Sequence, residues 1–378
     1  MKIVRLETFP VSVPYRHTER SSRVQRGGVS DVIVKLTADN GLVGWGESCS
    51  GADTASIDAA VRAMAPFVIG RSCWDVNDIA QQVYRSGLWD YRVHTGNFAY
   101  AGIDMALWDL CGKDCRRPLH QLFGGLQREE VDYFYYLATG DVDSIAKQCR
   151  DGVERGYTCF YLKVGVDALA EERMLETMRA AIGPGGKIRI DANEAWSVAE
   201  AIQLLTRWHT RFGIDFAEAP VRATPLSLMQ RVREHVPVSL CANEGLGSEQ
   251  DVLRMLVGEV ADVLCFSSIW VGTLRRFSTL SQLAHLQGVG VCKHTHGELG
   301  VAAAAAHHIM LTLPNTIDGC QQTAAIMADD ILTEELPIGN GPRWGIIEAP
   351  GLGVEVDEEK VRHFSRAYQR DGQFLPNA

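Results

Sequence analysis

The chain has 378 residues, a length that suggests two domains or one large barrel with an appended unit. Its apolar content of 46% and charged content of 22% are ordinary for a globular protein, and the net charge of −10 argues against nucleic acid or an anionic membrane as a partner. The N-terminal stretch lacks the apolar segment of a signal peptide, the most apolar helix-like run is too short to span a bilayer, and the ten cysteines show no repeated short spacing. We therefore expect a cytoplasmic protein with free thiols.

The first third of the chain has the pattern of a separate α+β unit. Two segments alternate in the manner of β-strands, KIVRLETFPVSV and DVIVKLTADNGLVGWGE, and the second contains an Asn-Gly turn signal at 40–41. Helical periodicity follows from about residue 54 to 122 and ends at a Gly-Gly pair. We place this first domain at residues 1–125.

From about residue 131, short apolar strands alternate with amphipathic helices. The eight strand candidates are DYFYYL, CFYLKV, KIRIDAN, IDFAEAP, VSLCANE, VLCFSS, GVCKHTH and TIDGCQ. Polar residues at six successive strand ends, from Lys163 to His294, recur at steps of 28, 27, 25, 24 and 27 residues. One βα unit of a parallel barrel has about this length. An open sheet would show the same alternation but rarely a polar residue at each strand end, so we predict a barrel over residues 126–345.

The predicted barrel mouth collects oxygen ligands suited to a hard cation. Asp191, Glu218 and either Asn243 or Glu244 follow three successive strands. Mg²⁺ prefers such oxygen ligands and leaves room for water or substrate oxygens. Any one of these acids could instead cap a helix or pair with an arginine, but three at successive strand ends favour a metal site.

Lys163 is the candidate base of this site. A bound cation and partial desolvation would both lower the pKa of Lys163 toward neutrality, where a lysine can accept a proton. The alternative is a lysine that extends from the strand end into solvent. His294 and His296 lie on one side of their strand, and at least one is expected to face the mouth as a second acid or base rather than as a structural histidine.

Several segments in order make the chain similar to the enolase superfamily, close to its mandelate racemase and muconate lactonizing enzyme subgroups, over nearly the whole length. They are GLVGWGES, MALWDLCGKDCRRPLHQLFGG, YLKVG, DANEAW, EAP and NEGLGS. The resemblance implies the fold class α/β, with a modified (β/α)₇β barrel and an α+β capping domain that also takes in the C-terminal segment 346–378. It further implies one Mg²⁺ per chain, abstraction of the proton α to a carboxylate to give an enediolate, and a homo-oligomer.

The resemblance also implies roles for individual residues. Asp191 and Glu218 match the first two metal ligands, and Asn243 matches the third, with Glu244 as the ligand if the register slips by one. Lys163 matches the second lysine of the family's Lys-x-Lys motif, whose first lysine is replaced here by Tyr161.

Other positions depart from the family pattern. Ser267 stands where relatives have a lysine or a histidine-orienting aspartate, so His294 matches the seventh-strand histidine without its usual partner. The eighth-strand glutamate of relatives maps near Cys320 and Gln321. We expect Ser267, Cys320 and Gln321 to face the substrate.

These departures favour dehydration of a hydroxy acid. Racemisation needs a competent base on each face of the α-carbon, whereas dehydration needs one base and one acid, for which Lys163 and a histidine suffice. We therefore predict a Mg²⁺-dependent dehydratase of an acid sugar. A racemase, epimerase or cycloisomerase on the same scaffold is the alternative, and a non-catalytic barrel that binds a metal and a carboxylate is a third reading.

The loop HTERSSRVQRGGVS of the first domain is the candidate specificity element. With Arg16, which directly precedes the loop, its basic residues form a local cluster of Arg16, His17, Arg20, Arg23 and Arg26. We expect this loop to close over a polar or dicarboxylate substrate, and its serines, arginines and glutamine favour a polyhydroxy acid. The alternative is a solvated mobile loop.

Overall fold

The computed structural model describes residues 1–49, 53–86, 94–138, 140–295 and 297–375. An antiparallel sheet in the order β1-β2-β3 opens the chain, followed by four helices. The strands are β1 (Ile3–Arg20), β2 (Gln25–Ala38) and β3 (Val43–Cys49), and the helices are α1 (Thr54–Val68), α2 (Val76–Ser86), α3 (Thr95–Cys115) and α4 (Leu119–Leu122). A side chain at Gly44 or Gly46 of β3 would overlap backbone oxygens of α3. The glycines of GLVGWGE therefore let α3 lie directly on the sheet.

The second part of the chain forms a parallel sheet in the order β11-β10-β9-β8-β7-β6-β5. Its strands are β5 (Tyr135–Leu137), β6 (Cys159–Lys163), β7 (Lys187–Asp191), β8 (Ile214–Glu218), β9 (Ser239–Ala242), β10 (Val263–Phe266) and β11 (Gly290–Lys293). The helices that follow them are α5 (Val142–Glu154), α6 (Ala168–Ile182), α7 (Val198–Phe212), α8 (Ser227–Arg233), α9 (Glu249–Val257), α10 (Ser268–Val271), α11 (Leu274–Leu286) and α12 (Gly300–Leu311). Most of these helices begin at a side-chain cap; Ser197 and Glu200, for example, form a capping box at α7.

Residues 316–320 close this sheet into a barrel. Thr316 bridges Val291 of β11, and Cys320 bridges Tyr133 just before β5, both in the parallel sense. The backbone N–H of Ile317 donates to Val291 at 3.0 Å, and that of Phe134 donates to Cys320 at 3.0 Å. The eighth predicted strand is therefore a short bridging segment, because its hydrogen bonds are divided between two neighbours. The predicted fold class, α/β with a modified (β/α)₇β barrel and an α+β N-terminal domain, is confirmed.

The barrel interior explains why polar residues recur at the strand ends. Cys241, Cys265 and Cys292 are fully buried inside the barrel, on three successive strands. Side chains alternate between the two faces of a strand, so the residue two positions further along also faces inward, at the level of the mouth. This alternation brings Asn243 and His294 to the cavity at the mouth.

Several contacts join the N-terminal domain to the rest of the chain. Glu47 of β3 accepts hydrogen bonds from the backbone N–H groups of Leu299 (2.6 Å) and Ala302 (2.9 Å) at the start of α12. The C-terminal helix α13 (Glu358–Asp371) packs against β1. Outside the N-terminal domain, β12 (Arg343–Gly345) pairs with β4 (Glu130–Asp132).

The cysteines and the helices of the described residues bear on two further expectations. All ten cysteines are free thiols, as the sequence predicted. Within the described ranges, no helix has the length and apolar character needed to cross a membrane.

Candidate active site

Lys163 and Tyr161 of β6 both contact the carboxylates of the next two strands. Lys163 Nζ donates to Asp191 Oδ2 at 2.5 Å, and the Tyr161 hydroxyl donates to the same oxygen at 2.7 Å. Tyr161 also approaches Glu218 Oε2 at 3.4 Å. Burial and the neighbouring Asp191 raise the pKa of Tyr161 well above its usual value, so the phenol remains a donor. Tyr161 thus takes part in the cluster that the sequence assigned to metal binding.

The pKa of Lys163 depends on both burial and the neighbouring acids. Burial lowers the pKa, but the carboxylates of Asp191, Glu218 and Glu19 outweigh this effect and raise it above its usual value. The predicted lowering refers to a site with a cation bound, whose charge would offset these carboxylates, and it stays a prediction.

The carboxylates at the mouth fit a cation. Burial, followed by repulsion from Asp191, raises the pKa of Glu218 well above its ordinary value, and the same two causes raise that of Glu244 to about 7. Glu244 Oε2 is buried and accepts no hydrogen bond from the described residues. Buried acids that repel one another and retain an unpartnered oxygen are stabilised by a divalent cation.

Asn243 and Glu244 both line the mouth, but they are held differently. Asn243 Nδ2 donates to the carbonyl of Cys265 at 2.9 Å, which leaves its amide oxygen as the atom available to a ligand. Glu244 Oε1 accepts a hydrogen bond from Asn193 Nδ2 at 2.9 Å. Asn193 Oδ1 in turn accepts from Lys163 Nζ at 3.1 Å, so Glu244 is linked to the candidate base through one amide.

His294 faces the same cavity with one ring nitrogen fixed. The indole Nε1 of Trp270 donates to His294 Nδ1 at 2.9 Å. An indole N–H can only donate, so the neutral imidazole carries its proton on Nε2. Ser267 is buried, and its hydroxyl has no hydrogen-bond partner among the described residues. His296 lies outside the described residues.

Gln321, which the sequence analysis expected to face the substrate together with Ser267 and Cys320, forms hydrogen bonds with Glu218. Its Nε2 donates to both oxygens of Glu218, at 3.0 and 2.8 Å. Cys320 is fully buried and does not line the cavity; its Sγ accepts from the backbone N–H of Lys293 at 3.4 Å.

A cavity of about 400 Å³ lies between the barrel mouth and the β1–β2 loop. Its lining includes Lys163, Asn243, Glu244, His294 and Gln321 from the barrel, and Glu19, Arg23 and Arg26 from the N-terminal domain. Only Arg23 and Arg26 of the predicted basic cluster line the cavity. Arg16, His17 and Arg20 are exposed and lie outside the lining.

A larger cleft of about 1050 Å³ lies between α2 and α11, and its lining contains none of the predicted site residues. The smaller cavity is the candidate active site because the titratable groups converge there.

Several residues of this cavity were missed by the sequence analysis. They include Glu19, Tyr136, Asn193 and Trp270. Asn193 stands inside the quoted motif DANEAW, and alternation along the strand would place it on the same side as Asp191. Glu19 is the acid of the segment HTERSSRVQRGGVS, whose basic residues, serines and glutamine alone entered the prediction.

Family models match both parts of the chain. Residues 4–124 match the N-terminal domain of mandelate racemase and muconate lactonizing enzyme, and residues 144–360 match the enolase C-terminal domain-like model. The chain belongs to the mandelate racemase and muconate lactonizing enzyme family of the enolase superfamily.

Members of this family that resemble the chain carry different names. A D-galactarolactone cycloisomerase from Agrobacterium fabrum is 30% identical, over 88% of this chain and 90% of its own length. A chloromuconate cycloisomerase from Cupriavidus pinatubonensis is 28% identical, over 94% and 97%. The crystal structure of N-succinyl Arg/Lys racemase from Bacillus cereus shares the fold with a TM-score of 0.89 at 24% identity, covering 96% of this chain and 98% of that one. Family membership therefore supports an enzyme without identifying its reaction.

Proposed function

We propose that this chain is a Mg²⁺-dependent enzyme that removes the α-proton of a hydroxylated carboxylic acid and eliminates water from it. The observation that carries the proposal is the pairing of Lys163, fixed among the mouth carboxylates, with His294, whose Nδ1 accepts the Trp270 indole. The first group supplies a base and the second supplies a proton donor, which is what dehydration requires.

Asp191, Glu218 and Asn243 would hold the cation, with Glu244 as the alternative third ligand. Their donor set of carboxylate and amide oxygens suits Mg²⁺. When bound, Mg²⁺ supplies positive charge that stabilises the charge developing on the substrate carboxylate. Tyr161 and Gln321 keep Asp191 and Glu218 in place through the hydrogen bonds described above.

A cation held by Asp191 and Glu218 would offset the charges that raise the pKa of Lys163 and so favour its neutral form. Neutral Lys163 Nζ accepts the α-proton, and the electron pair of the broken C–H bond forms the α,β double bond. The β-carbon–oxygen bond breaks, and His294 Nε2–H protonates the leaving hydroxyl, which departs as water and leaves His294 as an imidazolate. The resulting enol takes up a proton at the β-carbon, loses its hydroxyl proton and becomes a 2-keto acid. Lys163 returns its proton to solvent, and the His294 imidazolate regains one.

The His294 tautomer supports dehydration over racemisation. A histidine that acts as a base at Nε2 becomes an imidazolium, which a carboxylate at Nδ1 stabilises. Trp270 instead presents a donor to Nδ1, and a donor opposes protonation at that nitrogen. His294 is thus better suited to donate a proton than to accept one.

A second candidate reaction is cycloisomerisation of a sugar-acid lactone. It is favoured by the 30% identity to a protein named D-galactarolactone cycloisomerase. Such a reaction needs a single residue that both accepts and returns a proton, for which Lys163 suffices.

Incubation with aldonic acids, aldaric acids and their lactones in D₂O with Mg²⁺ distinguishes these reactions. The proposal predicts 2-keto acids with deuterium at the former β-carbon. Turnover of lactones alone, with no keto acid, would assign the cycloisomerase reaction, and labelled epimers of the substrate would assign a racemase. Metal and acid binding without any turnover would support the non-catalytic reading.

A further inference from the structure

Glu19 and Arg26 form a partly buried ion pair at the end of the cavity that belongs to the N-terminal domain. Arg26 Nε donates to Glu19 Oε2 at 2.6 Å, with side-chain exposures of 16% and 11%. The Tyr136 hydroxyl of β5 donates to the other carboxylate oxygen, Glu19 Oε1, at 3.0 Å. This pair therefore lies where the β1–β2 loop meets the barrel, facing the cavity.

The pair keeps unused hydrogen-bonding capacity. Among the described residues, the two terminal nitrogens of Arg26 have no hydrogen-bond acceptor, although the guanidinium lies 5.8 Å from the Tyr15 ring. Each carboxylate oxygen of Glu19 accepts one hydrogen bond and has a further lone pair. The end of the cavity thus offers donors and acceptors side by side.

Glu19 is charged in this setting. Burial acts to raise its pKa, but Arg26, then Lys163, and the hydrogen bonds to the carboxylate outweigh burial and lower it. The ion pair is therefore neutral as a whole at physiological pH.

The other cations of the lining are also paired with acids. Arg23 forms an ion pair with Glu194, and Lys163 forms one with Asp191. Within the described lining, each lysine and arginine therefore already has a carboxylate partner. A second substrate carboxylate at the far end would meet Glu19 and a guanidinium that Glu19 already neutralises, and desolvating it there would be unfavourable.

We propose that Glu19 and Arg26 form a subsite for hydroxyl groups at the substrate end remote from the reacting carboxylate. The substrate is then a monocarboxylic polyhydroxy acid and not a dicarboxylate. A hydroxyl group can donate to Glu19 and accept from Arg26 at the same time, which a carboxylate cannot do. The assignment of the remote end rests on the proposed function, since it places the reacting carboxylate beside Asp191 and Glu218.

Matched pairs of acids test the subsite. D-gluconate and D-glucarate, or D-galactonate and D-galactarate, differ only in a terminal CH₂OH group against a carboxylate. Calorimetric titration of the full chain with Mg²⁺ present is expected to show the monoacid binding at least about tenfold more tightly than its diacid. Equal binding, or tighter binding of the diacid, would overturn the proposal.

Glu19→Gln provides a gain-of-function test. This change keeps the shape of the side chain but leaves the Arg26 charge uncompensated, so the diacid-to-monoacid affinity ratio should rise by about tenfold or more. Glu7→Gln makes the same change on β1 at a surface ion pair with Arg5 and should leave the ratio unchanged. A ratio that stays constant in Glu19→Gln, with an unchanged melting temperature, would contradict the subsite.

The binding readout separates this inference from the proposed reaction. Absence of turnover with a clear monoacid preference would remove the dehydratase and keep the subsite. Dehydration of diacids in preference to monoacids would keep the reaction and remove the subsite.

Discussion

The indole Nε1 of Trp270 donates a hydrogen bond to His294 Nδ1 over 2.9 Å, within the buried wall of the cavity. Trp270 lies on α10, which begins directly after β10. Because the indole cannot accept a proton, this contact fixes which nitrogen of neutral His294 carries one. The indole also occupies the place beside Nδ1 where a carboxylate would stabilise the imidazolium that His294 forms when it acts as a base.

Trp270→Phe is expected to remove the contact that keeps the proton of neutral His294 on Nε2. The phenyl ring keeps the aromatic wall but has no N–H donor, so the proton of neutral His294 can move from Nε2 to Nδ1. We expect kcat to fall by about tenfold or more, with little change in KM, because proton donation to the leaving group is impaired. Nitrogen NMR of the histidine ring should show less of the Nε2–H tautomer. Unchanged kcat together with an unchanged tautomer would contradict the role of Trp270.

Tyr161→Phe is expected to weaken Mg²⁺ binding by about tenfold, because the phenol that positions Asp191 is lost. Tyr157→Phe is the matched control, since the buried Tyr157 hydroxyl has no hydrogen-bond partner among the described residues. Calorimetric titration with Mg²⁺ alone measures both variants. Equal Mg²⁺ affinity in the wild type and Tyr161→Phe would show that Tyr161 only packs against Phe134, whose ring centroid is 4.5 Å away.

The third metal ligand can be assigned by comparing two variants. Asn243→Leu should weaken Mg²⁺ binding by about a hundredfold, since it removes the amide oxygen that no described residue engages. Glu244→Gln should weaken it by about tenfold or less, because its Oε1 already bonds to Asn193 and its influence is mainly electrostatic. Titration with Mg²⁺ is the measurement, and the opposite order would assign the ligand to Glu244.

His307 of α12 should make stability depend on pH. Burial lowers its pKa to about 3; its Nδ1 contacts the Tyr133 hydroxyl at 2.9 Å, and its Nε2 contacts the Gly345 carbonyl at 2.8 Å. A depressed pKa for a base means that the unfolded chain binds the extra proton below about pH 6.5, so the stabilisation present above that pH is lost as pH falls.

His307→Phe removes this titration. The difference in unfolding free energy between wild type and variant should be constant above about pH 7 and should shift against the wild type below about pH 6.5. The shift approaches a factor of about ten per pH unit in the unfolding equilibrium constant. Denaturant titrations at several pH values measure it, and a difference that is independent of pH would contradict the buried neutral state.

The strand-end residues were predictable because two regular quantities determine them. The βα repeat sets the interval between Asp191 and Glu218, and the two-residue alternation of a strand sets which face they share. Both hold before any tertiary contact is known. The position of the closing segment at 316–320 was predicted, but it was expected to be a full strand and is a short bridging segment. Its form could not be predicted because its hydrogen bonds depend on both neighbouring strands at once.

The remaining features depend on distances that no local pattern contains. The pKa of Lys163 follows from a balance between burial and three carboxylates from different elements. Arg16 of β1 and Arg26 of β2 have the same charge, yet of these two only Arg26 lines the cavity. The Trp270–His294 contact joins residues that are 24 positions apart, across two strand ends. These relationships arise from tertiary packing, so sequence motifs and the spacing of residues could not predict them.

Cleavage of the α-C–H bond is the step in which Lys163 acts as the base. The most direct test measures that cleavage in D₂O with Mg²⁺ present, as deuterium-labelled product or exchanged substrate, for the wild type and Lys163→Ala. Mg²⁺ affinity is measured alongside to establish that the site remains intact. We expect cleavage by the wild type, rising with pH as the amine loses its proton, and a loss of about 10²- to 10⁴-fold in the variant. Cleavage at the wild-type rate in Lys163→Ala, with Mg²⁺ bound, would contradict the assignment of Lys163 as the base.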